Sequence, residues 1–303
     1  MITTASRRQI IVGAAACAAV PAGLARGATG PATTPAAASS RKSYAAGRFG
    51  QVHWRAVTPG NETARHPVVC LHPTPFSGLI FERFLVALGC DRVAMAPDMP
   101  GYGDSDAPES KPTIDAYADA LAADVAGAIL GPFDVVGYGA GAGLAIELAL
   151  RDTTRVRAIV LIEPPLRSRA ETAAQQVFKA PKTISIAGRH LSQMWQACIA
   201  PASPVWPIYD FSRQFADTIR RPATSWWVDS VMADHDAAAS LARVTQPVLI
   251  LDPDDKLHAE NFSQDPSPAA FTRVSRPDWG WGFLDVNADA SATLVRMFLD
   301  EAR

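Results

Sequence analysis

The stretch that most constrains the fold runs from Val135 to Gly143, with the sequence VVGYGAGAG. The β-prone run Phe133 to Val136 leads into glycines at alternate positions, and the alanine-rich segment Leu144 to Leu150 follows directly. This order predicts a buried strand, a very tight turn, and a helix packed closely against the strand. Gly139 lies at the apex of the predicted turn, where glycine adopts a positive φ without steric cost.

Length and composition are those of an ordinary globular protein. The 303 residues are 48% hydrophobic and 19% charged, which fits one large α/β domain with an insertion as well as two domains. The formal charge of -2 shows no basic excess of the kind that nucleic-acid binding requires. No apolar run reaches the roughly 20 residues that cross a bilayer. We therefore expect no nucleic-acid partner and no membrane span, while the oligomeric state stays open.

The N-terminus resembles an export signal. The segment Ser6 to Ile11 (SRRQII) is similar to the twin-arginine motif, Ile10 to Val20 is a short apolar region, and Ala25 to Ala28 offers small residues for cleavage. We expect a Tat-type signal peptide over residues 1–28 and a disordered linker, rich in Pro, Ala, Thr and Ser, over residues 29–46. Such a protein is periplasmic or secreted. The alternative is a disordered start that contains the arginine pair by chance.

Three cysteines remain after removal of the signal, namely Cys70, Cys90 and Cys198. Their number is odd, and Cys70 lies in a predicted buried strand, so we expect no essential disulfide. A catalytic thiol is one reading of any of the three. The other reading, which we favour, is that each is a small buried hydrophobe.

Strand and helix patterns alternate along the chain. Strands are predicted over residues 51–57, 67–71, 92–96, 133–136, 156–162, 246–251 and 271–275. Helices are predicted after the N-cap residues Ser77 and Thr113, after the tight turn at Gly139, and over residues 288–303. The alternation predicts an α/β fold with a mostly parallel central sheet, helices on both faces, and a functional site at the carboxyl ends of the strands.

Between residues 166 and 242 the periodicity becomes helical, with no convincing strand. Ile184 to Ile199 and Asp210 to Ile219 carry apolar residues at helical spacing. We interpret this region as an all-helical cap inserted into a domain that spans residues 47–303.

Taken together, five segments resemble the α/β-hydrolase family, in its cap-containing type. They are VVCLHPTPFSG (Val68 to Gly78), RVAMAPDMPGYGDSD (Arg92 to Asp106), VVGYGAGAG, PVLILDPDD (Pro247 to Asp255) and RPDWGWGFLDV (Arg276 to Val286). In this order they are similar to the loop that supplies half of the oxyanion hole, the D-x-x-G-x-G-x-S segment, the G-x-S-x-G nucleophile elbow, the strand of the triad acid and the segment of the triad histidine. The resemblance implies the α/β-hydrolase fold.

Position by position, the resemblance implies an incomplete catalytic triad. The nucleophile falls on Gly139, the base on Trp281 and the acid on Asp255, with Asp252 and Asp254 as nearby alternatives for the acid. Glycine has no side-chain atom that can attack a carbonyl, and indole has one N–H donor and no basic nitrogen. A serine mechanism needs both of the missing groups.

The resemblance also implies that this protein retains part of the family's site. The backbone N–H groups of Thr74 and Ala140 are placed to form an oxyanion hole, since Pro73 has no N–H. An apolar, aromatic pocket is expected around them, lined by Phe76, Tyr138, Trp195 and Trp281, with Glu163 either as a pocket acid or as a residue that faces solvent or the cap. The ligand that fits such a pocket is a small apolar or aromatic molecule.

Two histidines are candidate replacements for the lost base. His72 lies beside the pocket in the family pattern, either as a general base or as a structural residue bonded to loop backbone. His258 is a displaced base or a surface residue at a helix start. The other histidines are scattered without metal-ligand spacing, so we expect no metal and no cofactor.

Three functions follow from these features. We favour an exported pseudo-hydrolase that binds a small molecule without hydrolysing it. A lyase or isomerase that uses the oxyanion hole with His72 or Asp255 as base is the first alternative. The second is a hydrolase that acts on a small carboxylic ester or a C–C bond through an unrecognised nucleophile or an activated water.

Overall fold

A computed structural model of the chain describes residues 39–61, 65–166, 184–200, 202–253 and 271–302. Its strands are β1 (Arg41–Gly47), β2 (Gly50–Val57), β3 (Val68–Leu71), β4 (Ala94–Pro97), β5 (Phe133–Tyr138), β6 (Val156–Ile162), β7 (Val248–Pro253) and β8 (Phe271–Arg276). They form one eight-stranded sheet in the order β1-β2-β4-β3-β5-β6-β7-β8.

The sheet is mostly parallel. The β1–β2 and β2–β4 pairs are antiparallel, whereas every pair from β4 through β8 in the sheet is parallel. The parallel strands therefore end at one common edge, where ligands bind in open α/β sheets. The predicted α/β fold class is confirmed.

The described helices follow a short 3-10 turn, Gly78–Phe81. They are α1 (Glu82–Leu88), α2 (Ile114–Ala128), α3 (Ala140–Arg151), α4 (Arg189–Ile199), α5 (Ile208–Thr218), α6 (Trp227–Ala233), α7 (Ala237–Leu241), α8 (Phe283–Val286) and α9 (Ala288–Glu301). The segment between β6 and β7 contributes α4 to α7, so its described part is helical.

Two apolar clusters cover the two faces of the sheet. Val69 and Leu71 of β3 belong to one cluster, and Val68 and Cys70 belong to the other, as the alternation of side chains along a strand requires. Apolar residues of α2 and α3 complete the first cluster, and those of α1 and α9 complete the second. Burial of β3 on both faces explains its continuous apolar sequence.

The folded domain begins earlier than residue 47, where the sequence placed the end of a linker. Arg41–Gly47 forms β1, which pairs with β2 from Arg41 opposite Ala56 to Gly47 opposite Gly50. Most of its side chains are exposed, so it lacks the apolar pattern by which a buried strand is detected. Backbone hydrogen bonds to β2 hold it in place. The predicted signal peptide, residues 1–28, lies outside the described residues.

No helix in the described ranges combines the length and apolar character needed to span a bilayer. The three cysteines differ in environment: Cys70 is buried, Cys198 is half-buried and Cys90 is exposed. No disulfide joins them in the described part of the chain.

Candidate functional site

The elbow between β5 and α3 has the sharp geometry that its glycines predict. Gly139 follows β5 directly, adopts φ 54° and ψ -121°, and is the N-cap residue of α3. Its N–H donates to the Ile162 carbonyl of β6 at 2.9 Å, and its carbonyl accepts from the Ala142 N–H at 2.9 Å. Gly139, to which the resemblance assigns the nucleophile position, therefore has a backbone conformation that L-residues adopt only under strain.

The other glycines of the elbow permit close backbone packing. A Cβ on Gly137 would lie 2.5 Å from the Ala142 Cα and 2.6 Å from the Gly141 carbonyl oxygen. A Cβ on Gly141 would meet the Leu71 carbonyl and approach the His72 carbonyl to 2.6 Å. Such approaches are shorter than any real Cβ contact, so the start of α3 fits against β3 and β5 only without side chains.

Trp281, to which the resemblance assigns the base position, lies in an aromatic cluster beside the elbow. Its ring centroid is 5.9 Å from that of Tyr138, the neighbour of Gly139 in sequence, and 5.1 Å from that of Phe76. All three side chains are buried, and Trp281 is only 1% exposed. The Trp281 carbonyl accepts from the Ser203 N–H at 2.9 Å, which ties it to the helical segment between β6 and β7.

Trp195 lies farther out in the same apolar cluster. It is half-buried on α4, and its ring meets those of Phe211 at 4.7 Å and Phe215 at 5.1 Å, both edge-on. Phe211, Phe215 and the elbow aromatic residues share one cluster of the core. The predicted pocket residues Phe76, Tyr138 and Trp195 are thus parts of one aromatic assembly.

The two predicted oxyanion donors lie on half-buried residues, which solvent can reach. Ala140 is the first residue of α3, where backbone N–H groups have no partner one turn earlier in the helix. The Thr74 hydroxyl donates to the carboxylate of Asp229 on α6, which is also half-buried. Asp229 therefore holds the Thr74 side chain, while an oxyanion hole formed by the Thr74 and Ala140 N–H groups stays a prediction.

Asp229 is a site residue that sequence reasoning missed. It lies on α6 three residues before Met232, whose Sδ would be 2.5 Å from a Cβ on Gly143, so this face of α6 packs on the elbow helix. A single aspartate on a short helix usually faces solvent, and no motif connects it with Thr74. Only the tertiary fold brings them together.

His72 is fully buried, and both of its ring nitrogens are hydrogen-bonded to backbone. Nε2 accepts from the Met99 N–H at 2.9 Å, so Nδ1 carries the proton and donates to the Pro73 carbonyl at 3.1 Å. Burial is the main cause that lowers the pKa of His72, which keeps the ring neutral. No ring lone pair remains for a substrate proton, so this geometry agrees with the structural role and not with a general base.

Glu163 directly follows β6 and has a conformation that is uncommon for a residue with a side chain. Its φ is 47°, and its side chain is fully buried. Its N–H donates to the Leu251 carbonyl at 3.3 Å, which joins the carboxyl ends of β6 and β7. A buried acid in a strained backbone at this edge of the sheet marks the region where such folds hold their sites.

The position of the triad acid stays a prediction, because Asp254, Asp255 and His258 lie outside the described residues. Asp252, the alternative that is described, is buried near the end of β7 and pairs with Arg273 of β8.

The group most able to hold a metal ion, among the described residues, is His53 with Asp98 and Asp104. Asp98 already accepts from His53 Nδ1, from the Gly78 N–H and from the Asp104 N–H, each at 2.8 Å. Burial alone would raise the pKa of Asp98, but the hydrogen bond from His53 and neighbouring donors lower it. The arrangement is that of a hydrogen-bonded loop anchor.

Three buried residues of the described chain with nucleophilic side chains, Ser77, Ser105 and Cys70, are engaged or inert. The buried Ser77 hydroxyl accepts from the Leu79 N–H at 3.2 Å, and the buried Ser105 hydroxyl donates to the Asp98 carbonyl at 2.7 Å. Burial strongly raises the pKa of the Cys70 thiol, which disfavours the reactive thiolate.

The comparisons with known proteins agree with this architecture. Residues 68–293 match the sequence profile of the alpha/beta hydrolase family, and the chain belongs to that family. No curated protein matches the sequence.

Solved structures of the same fold include several hydrolases. Cfl2 from Burkholderia cenocepacia is 18% identical with a TM-score of 0.67, and the match covers 88% of this chain and 98% of that one. A serine-to-glycine mutant of the N-acyl homoserine lactonase AidH, complexed with N-hexanoyl homoserine lactone, is 17% identical with a TM-score of 0.68, over 86% and 98% of the two chains. An epoxide hydrolase from Vigna radiata is 16% identical with a TM-score of 0.66, over 87% and 98%.

Proposed function

We propose that this protein binds a small molecule on an α/β-hydrolase fold and does not hydrolyse it through a serine. One observation carries the proposal: Gly139 holds the elbow conformation while Trp281, at the base position, packs on the neighbouring Tyr138. The backbone scaffold of a serine hydrolase is retained, but the residues at these two positions supply neither a nucleophile nor a general base. Loss of either reagent from such a triad costs on the order of 10⁶ in kcat.

The expected ligand is apolar or aromatic and carries a carbonyl group. The half-buried Trp195, which packs on the same cluster as the buried Trp281, supplies apolar surface, and the N–H groups of Thr74 and Ala140 suit a carbonyl oxygen. The lactonase mutant supports this expectation, because that protein holds N-hexanoyl homoserine lactone with a glycine in place of a serine. Acyl lactones are accordingly the first ligand class to test.

Binding and turnover can be measured on the same samples. The protein is titrated with N-hexanoyl homoserine lactone and with short-chain aryl esters, and intrinsic tryptophan fluorescence and Tm report binding while chromatography reports ligand loss. We expect saturable binding without ligand loss. Trp195→Ala should weaken binding, because this half-buried ring packs on the aromatic cluster, whereas Trp226→Ala should not, because the Trp226 ring contacts Lys111 at 5.4 Å. Turnover above the buffer blank would contradict the proposal.

A nucleophile-free enzyme is the second candidate, and the Asp229 carboxylate favours it. Acid–base catalysis needs an ionisable group within hydrogen-bond reach of the reacting atom. Asp229 is half-buried and bonded to Thr74 on the oxyanion loop, whereas His72 is fully engaged. If a lyase or isomerase activity exists, Asp229→Asn should abolish turnover and retain ligand binding. Equal turnover in the variant would exclude this role.

We also propose that the helical segment between β6 and β7 caps the site. A separate proposal is that the protein is exported through the twin-arginine pathway. The SRRQII segment supports export. In a bacterial host with this pathway, the full-length protein should appear in the periplasm or medium. Replacement of Arg7 and Arg8 by lysine should retain it in the cytoplasm, and unchanged export would contradict the assignment.

A further inference from the structure

A small cavity of about 150 Å³ lies at the opposite edge of the sheet from the elbow. His66 comes just before β3, Asp134 pairs with Val68 at the start of β3, and Arg157 lies at the start of β6. These are the amino ends of the parallel strands, whereas the elbow follows the carboxyl end of β5. The ionisable groups that line the cavity are Arg65, His66, Arg92, Asp134, Arg157 and Asp300.

The guanidinium groups are held in place by the surrounding structure. The buried Arg92 donates to Asp91 at 2.9 Å and to Asp300 at 2.9 Å. Arg65 pairs with Asp300 at 2.6 Å. Arg157 donates from Nη2 to the carbonyls of Leu299 at 3.2 Å and Ala302 at 3.0 Å, which uses one of its three nitrogens. The guanidinium groups of Arg65, Arg92 and Arg157 are thus fixed in position, and the first two pair with the carboxylates of Asp91 and Asp300.

Asp134 is the unusual member of the set. It is only 1% exposed, and its Oδ1 has no hydrogen-bond donor among the described residues. The nearest cation to this oxygen is Arg157, with Nε at 3.6 Å, and the carboxyl also accepts from the Ala158 N–H. A protonated Asp134 would therefore carry an O–H donor beside a cavity with room for more than one water, since liquid water takes about 30 Å³ per molecule.

Burial, and not the neighbouring cations, favours the protonated form of Asp134. Burial raises the pKa of Asp134 to about 7, because it outweighs the opposing charges of Arg157 and Arg92, and Asp300 raises it further. Burial, followed by Arg157, lowers the pKa of His66, so that ring is neutral. With Asp134 protonated, Arg65, Arg92 and Arg157 outnumber the carboxylates Asp91 and Asp300 by one, so the net charge around the cavity is positive.

We propose that this cavity binds a small tetrahedral anion of the sulfate or phosphate type, with the three arginines as cationic donors and protonated Asp134 as a further donor. Guanidinium groups form strong, charge-assisted hydrogen bonds with such anions. Ionisation of Asp134 removes its donor and adds a negative charge next to the anion. Binding should therefore weaken as the pH rises through neutrality. The site shares no residue with the elbow, so it is independent of the function proposed there.

Sulfate is the suitable probe, because it does not titrate between pH 6 and pH 8.5. The full chain is titrated with sodium sulfate, with sodium chloride keeping the ionic strength constant, and Tm is recorded at both pH values. We expect a saturable rise of roughly 3 °C at pH 6 and a much smaller one at pH 8.5. A rise that does not saturate reflects general exclusion of sulfate from the protein surface and would overturn the proposal.

Two variants locate the site. Arg65→Gln, whose side chain is half exposed, should weaken sulfate binding about tenfold, whereas Arg189→Gln, on the exposed face of α4, should leave it unchanged. Equal affinity in Arg65→Gln and wild type would overturn the proposal. Asp134→Asn keeps a donor at every pH and should bind sulfate at pH 8.5 as well as at pH 6. A wild-type pH dependence in Asp134→Asn would contradict the role of Asp134.

A phosphate series at pH 6 distinguishes the two anions. Tighter binding of phosphate than of sulfate would identify phosphate as the physiological class, and the reverse would identify sulfate. Failure of both anions to produce a saturable rise in the wild-type protein would overturn the proposal.

Discussion

At the residue scale, the proposed lack of serine chemistry rests on Gly139 and Trp281. The elbow requires φ 54° at residue 139, which glycine adopts freely and which costs a residue with a Cβ about 1–3 kcal/mol. A serine hydrolase accepts that cost for a reactive hydroxyl. Here the turn is relaxed and the hydroxyl is absent. Trp281 is buried against Tyr138, so on the proposed assignment both residues favour the stability of the fold over serine chemistry.

Gly139→Ala should lower the free energy of unfolding by about 1–3 kcal/mol, because alanine must adopt the strained φ. Urea denaturation measures the change. Gly131→Ala is the matched control, since its Cβ would enter open space and the expected change is within about 0.5 kcal/mol. Equal stability of the two variants would show that residue 139 has an ordinary backbone conformation.

Trp281→Ala should lower the free energy of unfolding by about 3–5 kcal/mol, because a buried indole in contact with Phe76 and Tyr138 would leave a cavity. Thermal and urea denaturation provide the measurement. The half-buried Trp226 offers a comparison with the same change, and Trp226→Ala should cost less. A small effect at position 281 would indicate that the indole lines an open pocket and does not serve as core.

At the scale of elements, α3 is the helix on which the site depends, and its first turn is glycine-rich for a steric reason. Gly141→Ala would drive a Cβ into the carbonyls of Leu71 and His72, which are backbone atoms and cannot move away easily. We expect a loss of about 1–3 kcal/mol in unfolding free energy. Gly127→Ala, in α2 with open space around it, should stabilise by up to about 1 kcal/mol. The opposite order would contradict the close packing of α3.

Elements with a buried apolar run or a capping residue were predictable from the sequence. β3 coincides with the run 67–71, and α2 begins after Thr113, whose Oγ1 accepts from the Ala116 N–H at 3.1 Å. β1 was not predictable, because its exposed side chains follow no apolar pattern. Ser77 does accept a capping bond, but the helix after it starts as a 3-10 turn, which sequence periodicity does not distinguish from α-helix.

At the scale of the whole molecule, the motif order predicted which distant segments meet. Gly139 and Trp281 are far apart in sequence, and the aromatic contact through Tyr138 brings them into one site. Thr74 with Asp229, and Arg65 with Asp300, were not predictable. Each pair joins residues from separate elements through a contact that leaves no local pattern in the sequence.

Asp134 should impose a pH dependence on global stability. Its folded pKa of about 7 lies above the ordinary value of 3.8, so the folded state retains a proton that the unfolded state loses, and this contribution to stability falls as the pH rises from about 4 to 7. Asp134→Asn removes the effect. The variant should gain about 2–4 kcal/mol relative to wild type between pH 4 and pH 8, measured by urea denaturation. Asp289→Asn, on the exposed surface of α9, is the control. A constant difference between Asp134→Asn and wild type across this range would contradict the assignment.

The most direct test of the central claim is labelling with a fluorophosphonate, which reacts covalently with an activated serine. The wild-type protein is incubated with the reagent beside an active serine hydrolase, and intact mass spectrometry records adducts. We predict that the hydrolase gains one adduct and that this protein gains none, because Gly139 offers no hydroxyl and Trp281 no base. A stoichiometric adduct on any serine of this protein would contradict the account.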